Sequence, residues 1–382
     1  MSAIRDRVRN APLPGEAEAA ARSWPVVEAA LAERTSAGAT RRGTPPRRLA
    51  LRLAIVTVLV ALALAAVLSP AGAAVGDWIG DRFDDGHQRE TPAFAALPPG
   101  GSVLAISRTG AYAIHPNGST QRLGGFSEAG WSPHGEHVVG IAGRRLIAVD
   151  PLGTVKWTLV RRSVHDPSWS TRLGFAVAYL QDRALRVVDG TGDPATDRDI
   201  RGNAAAVTPA WRPRSDSVLT YATLGGAVET VNVTTRSTLW TAAVPGALRG
   251  LAWSGDGRRL VALASHSLTV LDRAGQVLRT IPLPGTARDF VLHPSDERAA
   301  VVVGGRVLNV PLSGQPPSPL FQGNVDGLAW SADGRHLLLG WRDTGQWLLL
   351  GPGNRIRALH GVSDELGSAG GFPRVAGWCC QG

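Results

Sequence analysis

A nucleophilic serine needs a base in reach and a tight turn that lifts its hydroxyl. The nearest approach here, Gly130-Trp131-Ser132-Pro133-His134, lacks the final glycine of a Gly-x-Ser-x-Gly elbow. No P-loop occurs, and no Gly-x-Gly-x-x-Gly falls between a strand and a helix. Asp189, Asp193, Asp197 and Asp199 crowd one loop, read here as lying between repeats, and offer the oxygens that Ca²⁺ prefers. Their order does not fit an EF-hand, and aspartates in glycine-rich turns commonly bond their own backbone. Among nine histidines only His134 and His137 have pair-like spacing, across a turn. Cys379 and Cys380 are the only cysteines, and either bridge each other or stay free. Adjacent strand residues face opposite ways, so a bridge requires the backbone to turn there. The expectation is a binding protein rather than an enzyme, with no catalytic, metal or cofactor site.

The elements that carry these residues divide unequally. A chain of 382 residues suggests two or three domains by size alone. Hydrophobic content of 44% with 19% charged residues excludes both a disordered protein and a multispanning membrane protein. More than half of the net charge of +9 comes from residues 1–52, where ten arginines face five acids. The remainder is too dilute for a nucleic-acid surface, so no nucleic-acid partner is expected.

Residues 53–76 contain no charge, and at about 1.5 Å per residue they are long enough for a bilayer core of about 30 Å. Arg41, Arg42, Arg47, Arg48 and Arg52 precede the run, whereas Asp77, Asp81, Asp84 and Asp85 follow it. The positive-inside rule then gives a cytoplasmic tail (1–48), a transmembrane signal anchor (49–70), a linker (71–95) and an extracytoplasmic domain (96–380), hence a single-pass cell-membrane protein. Ala71-Gly72-Ala73 also fits signal cleavage, although the preceding segment is longer than an ordinary n-region. In the tail, Trp24, Val27 and Leu31 form an apolar helical stripe suited to a cytosolic protein partner or the membrane surface.

The rest of the chain is repetitive. AGWSPHGEHVVGIA (129–142), LAWSGDGRRLVALA (251–264) and LAWSADGRHLLLGW (328–341) are copies of one phrase. Weaker copies follow Trp169 and Trp211, Leu292 holds the tryptophan place in another, and Trp378 closes the chain. A period near 40 residues with four short strands per unit predicts an all-β, seven-bladed β-propeller. Each tryptophan ends an inner strand and wedges between blades, and the turn after it needs glycine at positive φ. Three strands near residues 102–123 lack a tryptophan strand of their own, so the segment 374–380 is expected to complete their blade. Six blades with a stray terminal strand is the alternative.

The Trp-Ser-x-Asp-Gly turns resemble the WD40-like repeats of TolB and its relatives, and the hairpins ending in Trp157 and Trp240 are similar to quinoprotein-type repeats. The resemblance implies architectural roles for Trp131, Ser132, Trp253, Asp256, Gly257, Trp330, Asp333 and Gly334. The functional expectation is a membrane-tethered binding or scaffolding propeller with a protein or cell-envelope ligand. A transmembrane sensor whose tail regulates a cytosolic factor, of the sigma-factor-regulator type, is the alternative. A quinoprotein-like enzyme is a more distant third.

Overall fold

The computed structural model describes residues 94–380 apart from residues 96, 99, 171–174, 216 and 367–370. The described residues form seven four-stranded antiparallel sheets, which are the seven blades. Blade 1 runs from inner strand Glu128–Trp131 to outer strand Val155–Val160, and blade 2 from Val164–Trp169 to Arg198–Arg201. Blades 3 to 6 open on Ala210–Trp211, Leu248–Trp253, Ala287–Leu292 and Val325–Trp330. Successive inner strands touch around the ring.

Blade 7 takes strands from both ends of the described chain. Its inner strand, Arg374–Cys379, pairs antiparallel with Ser102–Ser107, and Gly110–Ile114 and Thr120–Gly124 complete the sheet. The register sets Val103 opposite Trp378 and Ile106 opposite Arg374, with one bulge between. The closure expected from the sequence is therefore present, with strand ends within one residue of expectation.

Packing follows from two-residue periodicity. In Arg259–Ala264, Leu260, Ala262 and Ala264 join the core shared with blade 3, whereas Val261 and Leu263 join the core shared with blade 5. A middle strand covered on both faces must be apolar, and this one is from Leu260 to Ala264. The same logic explains why these strands read as continuous apolar runs in the sequence.

The wide spacing between Trp330 and Trp378 has a structural cause. A one-turn helix, Val362–Glu365, precedes the closing strand, and Val362 and Leu366 are fully buried beside Phe94 and Trp347. The Phe94 and Trp347 rings stand 5.5 Å apart. Phe94 thus belongs to the core although it precedes the boundary read from the sequence. No helix among the described residues is long and apolar enough to cross a membrane. The segment 49–70 lies outside the described residues.

Trp253→Ala should cost about 3–5 kcal/mol by emptying a buried aromatic site, while the exposed Arg273→Ala should cost under about 0.5 kcal/mol. Chemical denaturation of both variants checks the difference. Deleting residues 372–382 removes the closing strand and exposes the edge of Ser102–Ser107, so loss of a cooperative melting transition is expected.

Candidate functional site

The repeat residues build the frame of the site. Trp211 donates its indole N–H to the Ser168 carbonyl of the preceding blade at 3.0 Å. Trp253 donates to the buried Thr220 hydroxyl at 3.0 Å, again one blade back. Trp169 is buried, Trp131 and Trp330 are partly buried, and Trp330 meets His293 edge-on at 4.7 Å. Trp378 donates to Gly100 at 3.1 Å, within its own blade region. Outer-strand tryptophans complete two of these boundaries. Trp157 meets Trp169, and Trp240 meets Trp253, both at 6.4 Å. Each lies over a glycine of the next blade, Gly192 or Gly275, where a Cβ would strike the indole.

The turn after each anchor has its own chemistry. Ser254 donates to Asp256 at 2.6 Å and accepts from the Arg259 amide, while Asp256 accepts from the Arg258 amide. Ser331 and Asp333 repeat the pattern with His336 and Arg335. The serine hydroxyl and then the backbone amide hold both aspartates below the usual carboxylate range. Gly257 and Gly334 both take φ +68°. Ser132 keeps the serine contact, accepting from the His137 amide at 2.9 Å, although His134 replaces the aspartate. Where Leu292 replaces tryptophan, Asp296 takes the positive-φ place at +58°.

The aspartate loop sits elsewhere than expected. It joins the third and fourth strands of blade 2, not two blades. Asp189 and Asp193 accept from nearby backbone amides. Asp197 is fully buried and accepts from Arg161, Arg186 and Tyr179. Burial, then the Asp197 hydrogen bond, pushes the Tyr179 phenol up to about 12. Lone pairs occupied in this way are structural. Among the described residues no group of three His, Cys, Asp or Glu side chains is placed to hold a metal. Cys379 and Cys380 are bridged. Trp24, Val27 and Leu31 lie outside the described residues.

The sequence points to the loop face around the central channel, where the seven blades converge, but names none of the residues there. At the end of the ring where the inner strands begin, each blade places a polar residue in or just before its inner strand. These are Glu128, Asp166, Thr208, Arg249, Asp289, Asp326 and Arg374. Each stands three or four places before its anchor, an offset that was available as a signal. Bulges in the pairing of inner strands 164–169, 248–253, 287–292 and 325–330 fall at or beside these positions. A bulge re-aims the side chain it carries.

Six of the seven positions are electrostatically joined, while Arg249 reaches Ser265 of its own blade instead. The Asp166 amide donates to Glu128, and Thr208 donates to Asp166 at 2.6 Å, linking three blades. Asp326 pairs with Arg342 at 3.2 Å. Asp289 accepts from the Phe290 amide at 2.8 Å. Its side chain is open to water, yet the protein around it partly desolvates the carboxylate. That desolvation raises its pKa; the Phe290 amide and Arg374 oppose the rise and Asp326 adds to it. Glu128 is also raised, chiefly by burial, despite the Asp166 amide, His165 and Arg374. Arg374 therefore acts on acids from two different blades.

No family model matches the chain, and no curated protein matches it. Among solved structures, it is similar to the β-propeller domain of Cps50 (Swd1) from Myceliophteria thermophila, 14% identical over 62% of this chain and 87% of that one, with a TM-score of 0.51. It is also similar to a chain of the mitotic checkpoint complex, 16% identical over 61% of this chain and 76% of that one, with a TM-score of 0.51. At these identities the likeness concerns the fold. The fold is a WD40-like, seven-bladed β-propeller.

Asp289→Asn tests the electrostatics of the mouth. A carboxylate whose folded pKa is raised binds its proton more readily when folded, so its penalty on stability grows as pH rises from the unfolded to the folded pKa and is complete above the latter. The variant should melt higher relative to wild type at pH about 7 than at pH about 3, where both states of the wild-type side chain are protonated. Melting curves at the two pH values check the sign.

Proposed function

We propose that this chain is a membrane-tethered, extracytoplasmic β-propeller that binds a protein or cell-envelope ligand at the mouth of its channel. The mouth is the observation that carries the reading. Seven blades each contribute one polar side chain there, four acids, two arginines and a threonine, on a rigid ring of inner strands. A concave mouth with mixed charge suits selective binding, because opposite and like charges reward one partner and reject another. One similar structure is by its name a complex, which favours a protein ligand. The Trp-Ser-x-Asp-Gly turns support kinship with TolB-like propellers. The uncharged run 53–76, with arginines before it and aspartates after it, supports the tether.

A second reading has its own observation, the stripe of Trp24, Val27 and Leu31. A cytoplasmic tail with this stripe would dock on a cytosolic factor, making the protein a sensor of the sigma-factor-regulator type. The linker contains Gly72, Gly76, Gly80 and Gly86 and follows directly on Pro70, so twisting would pass poorly through it and clustering or recruitment fits better.

Protease added outside intact cells should leave a protected N-terminal fragment of about 70 residues, detected with a tag on the tail. A soluble secreted ectodomain would overturn the tether. In cross-linking of the full chain in membranes, Asp289→Arg should reduce captured envelope partner at least about tenfold, whereas Leu239→Ser on an outer strand should not. Equal capture by both variants would remove the mouth as the binding site.

A further inference from the structure

The ring closes through a single strand, Arg374–Cys379, and that strand ends in the bridged pair Cys379–Cys380. The pair rests on the turn that follows the inner strand of blade 1. Cys380 Sγ lies 3.2 Å from the Pro133 carbonyl, and Cys379 Sγ lies 3.5 Å from the Ser132 carbonyl. Two glycines make room for it. A Cβ on Gly135 would stand 3.2 Å from one sulfur and 3.4 Å from the other, and a Cβ on Gly101 would overlap the carbonyls of both cysteines. Both glycines have positive φ, +71° and +85°, as does Cys380 at +59°. The strand therefore turns aside at Cys380, which puts both sulfurs on the side of blade 1.

Two adjacent residues on a continuing strand point to opposite faces. Only while the bridge is closed are both sulfurs held on the Ser132–Pro133 turn together. With the bridge open, the two sulfurs would no longer be tied to each other on that turn, and the seat of the closing strand's end would be weakened. The cysteines are only partly buried, so a small thiol can reach them.

We propose that Cys379–Cys380 is a thiol–disulfide exchange site whose redox state sets how firmly the closing strand is held in the ring. The co-reactant is a dithiol. One of its thiolates attacks a sulfur of the pair, forming a mixed disulfide and releasing the other cysteine as a thiolate that takes up a proton. Its second thiolate then displaces the first cysteine, which is protonated in turn. The dithiol leaves as a disulfide, and the pair has gained two electrons and two protons. The proposal concerns blade 7 alone and stands whichever side of a membrane the propeller occupies.

The test compares the full-length chain equilibrated with an oxidised dithiol buffer and with the reduced dithiol. Alkylation followed by mass measurement should add no label to the first and two labels to the second. Hydrogen exchange of the 374–379 amides should be about tenfold faster in the reduced form, while exchange in Arg259–Ala264 stays unchanged. The double variant Cys379→Ser, Cys380→Ser should match the reduced form in either buffer; if it does not fold, the wild-type pair of measurements still decides. Two labels after oxidation, or equal exchange of the closing strand in both forms, would overturn the proposal.

Discussion

The pairing of Arg374–Cys379 with Ser102–Ser107 is the constraint on which the ring depends. Each blade is a twisted sheet whose faces are apolar, and no blade can cover both faces unless it has a neighbour on either side. Five boundaries form between blades 1 to 6, which follow one another in the chain, and the two that flank blade 7 depend on strands from distant parts of it. Without that pairing, the edges of two strands and the faces of the flanking blades would meet water. An open sheet edge is also a template for unwanted pairing, which closure removes. Stability is thus shared around the ring rather than built up blade by blade.

Blade boundaries are fixed by indoles of two origins. Inner-strand Trp211 and Trp253 reach back to the preceding blade, and outer-strand Trp157 and Trp240 reach forward to a glycine of the next. The two directions explain why the sequence carries tryptophans at more than one phase of its period. Arg161, from the end of blade 1, adds a polar tie by reaching the buried Asp197 of blade 2 at 2.7 Å. A buried carboxylate with three donors is costly to disturb, since removing any donor leaves charge without compensation. The aspartate loop is therefore part of the frame.

How much of this was legible in the sequence depends on whether a role repeats. Trp131, Trp253 and Trp330 announce themselves because the same anchor serves the same boundary at a fixed period. The Ser254–Asp256 turn is legible for the same reason: its hydrogen bonds are local and demand the same residue types each time. Asp197 misled, because the arginine from another blade that occupies it is invisible in a linear reading. The short helix Val362–Glu365 was hidden as well, since its burial depends on Phe94 and Trp347, far away in the chain.

The mouth residues were hidden for the opposite reason. Glu128, Asp166, Thr208, Arg249, Asp289, Asp326 and Arg374 occupy nearly equivalent places yet share no single chemistry. The repeats serve here as an internal comparison. Six of the seven anchor positions are tryptophan, because each must fill a similar gap between similar sheets. The mouth positions make no such uniform contact, and they differ in charge and size from blade to blade. Part of that charge serves the fold, since Glu128, Asp166 and Thr208 tie three blades together, but the raised pKa values of Glu128 and Asp289 mark an electrostatic cost that those ties do not remove. The ligand recognition proposed above would offset that cost, since the raised acids would recover their charged state beside a positive group brought to the mouth.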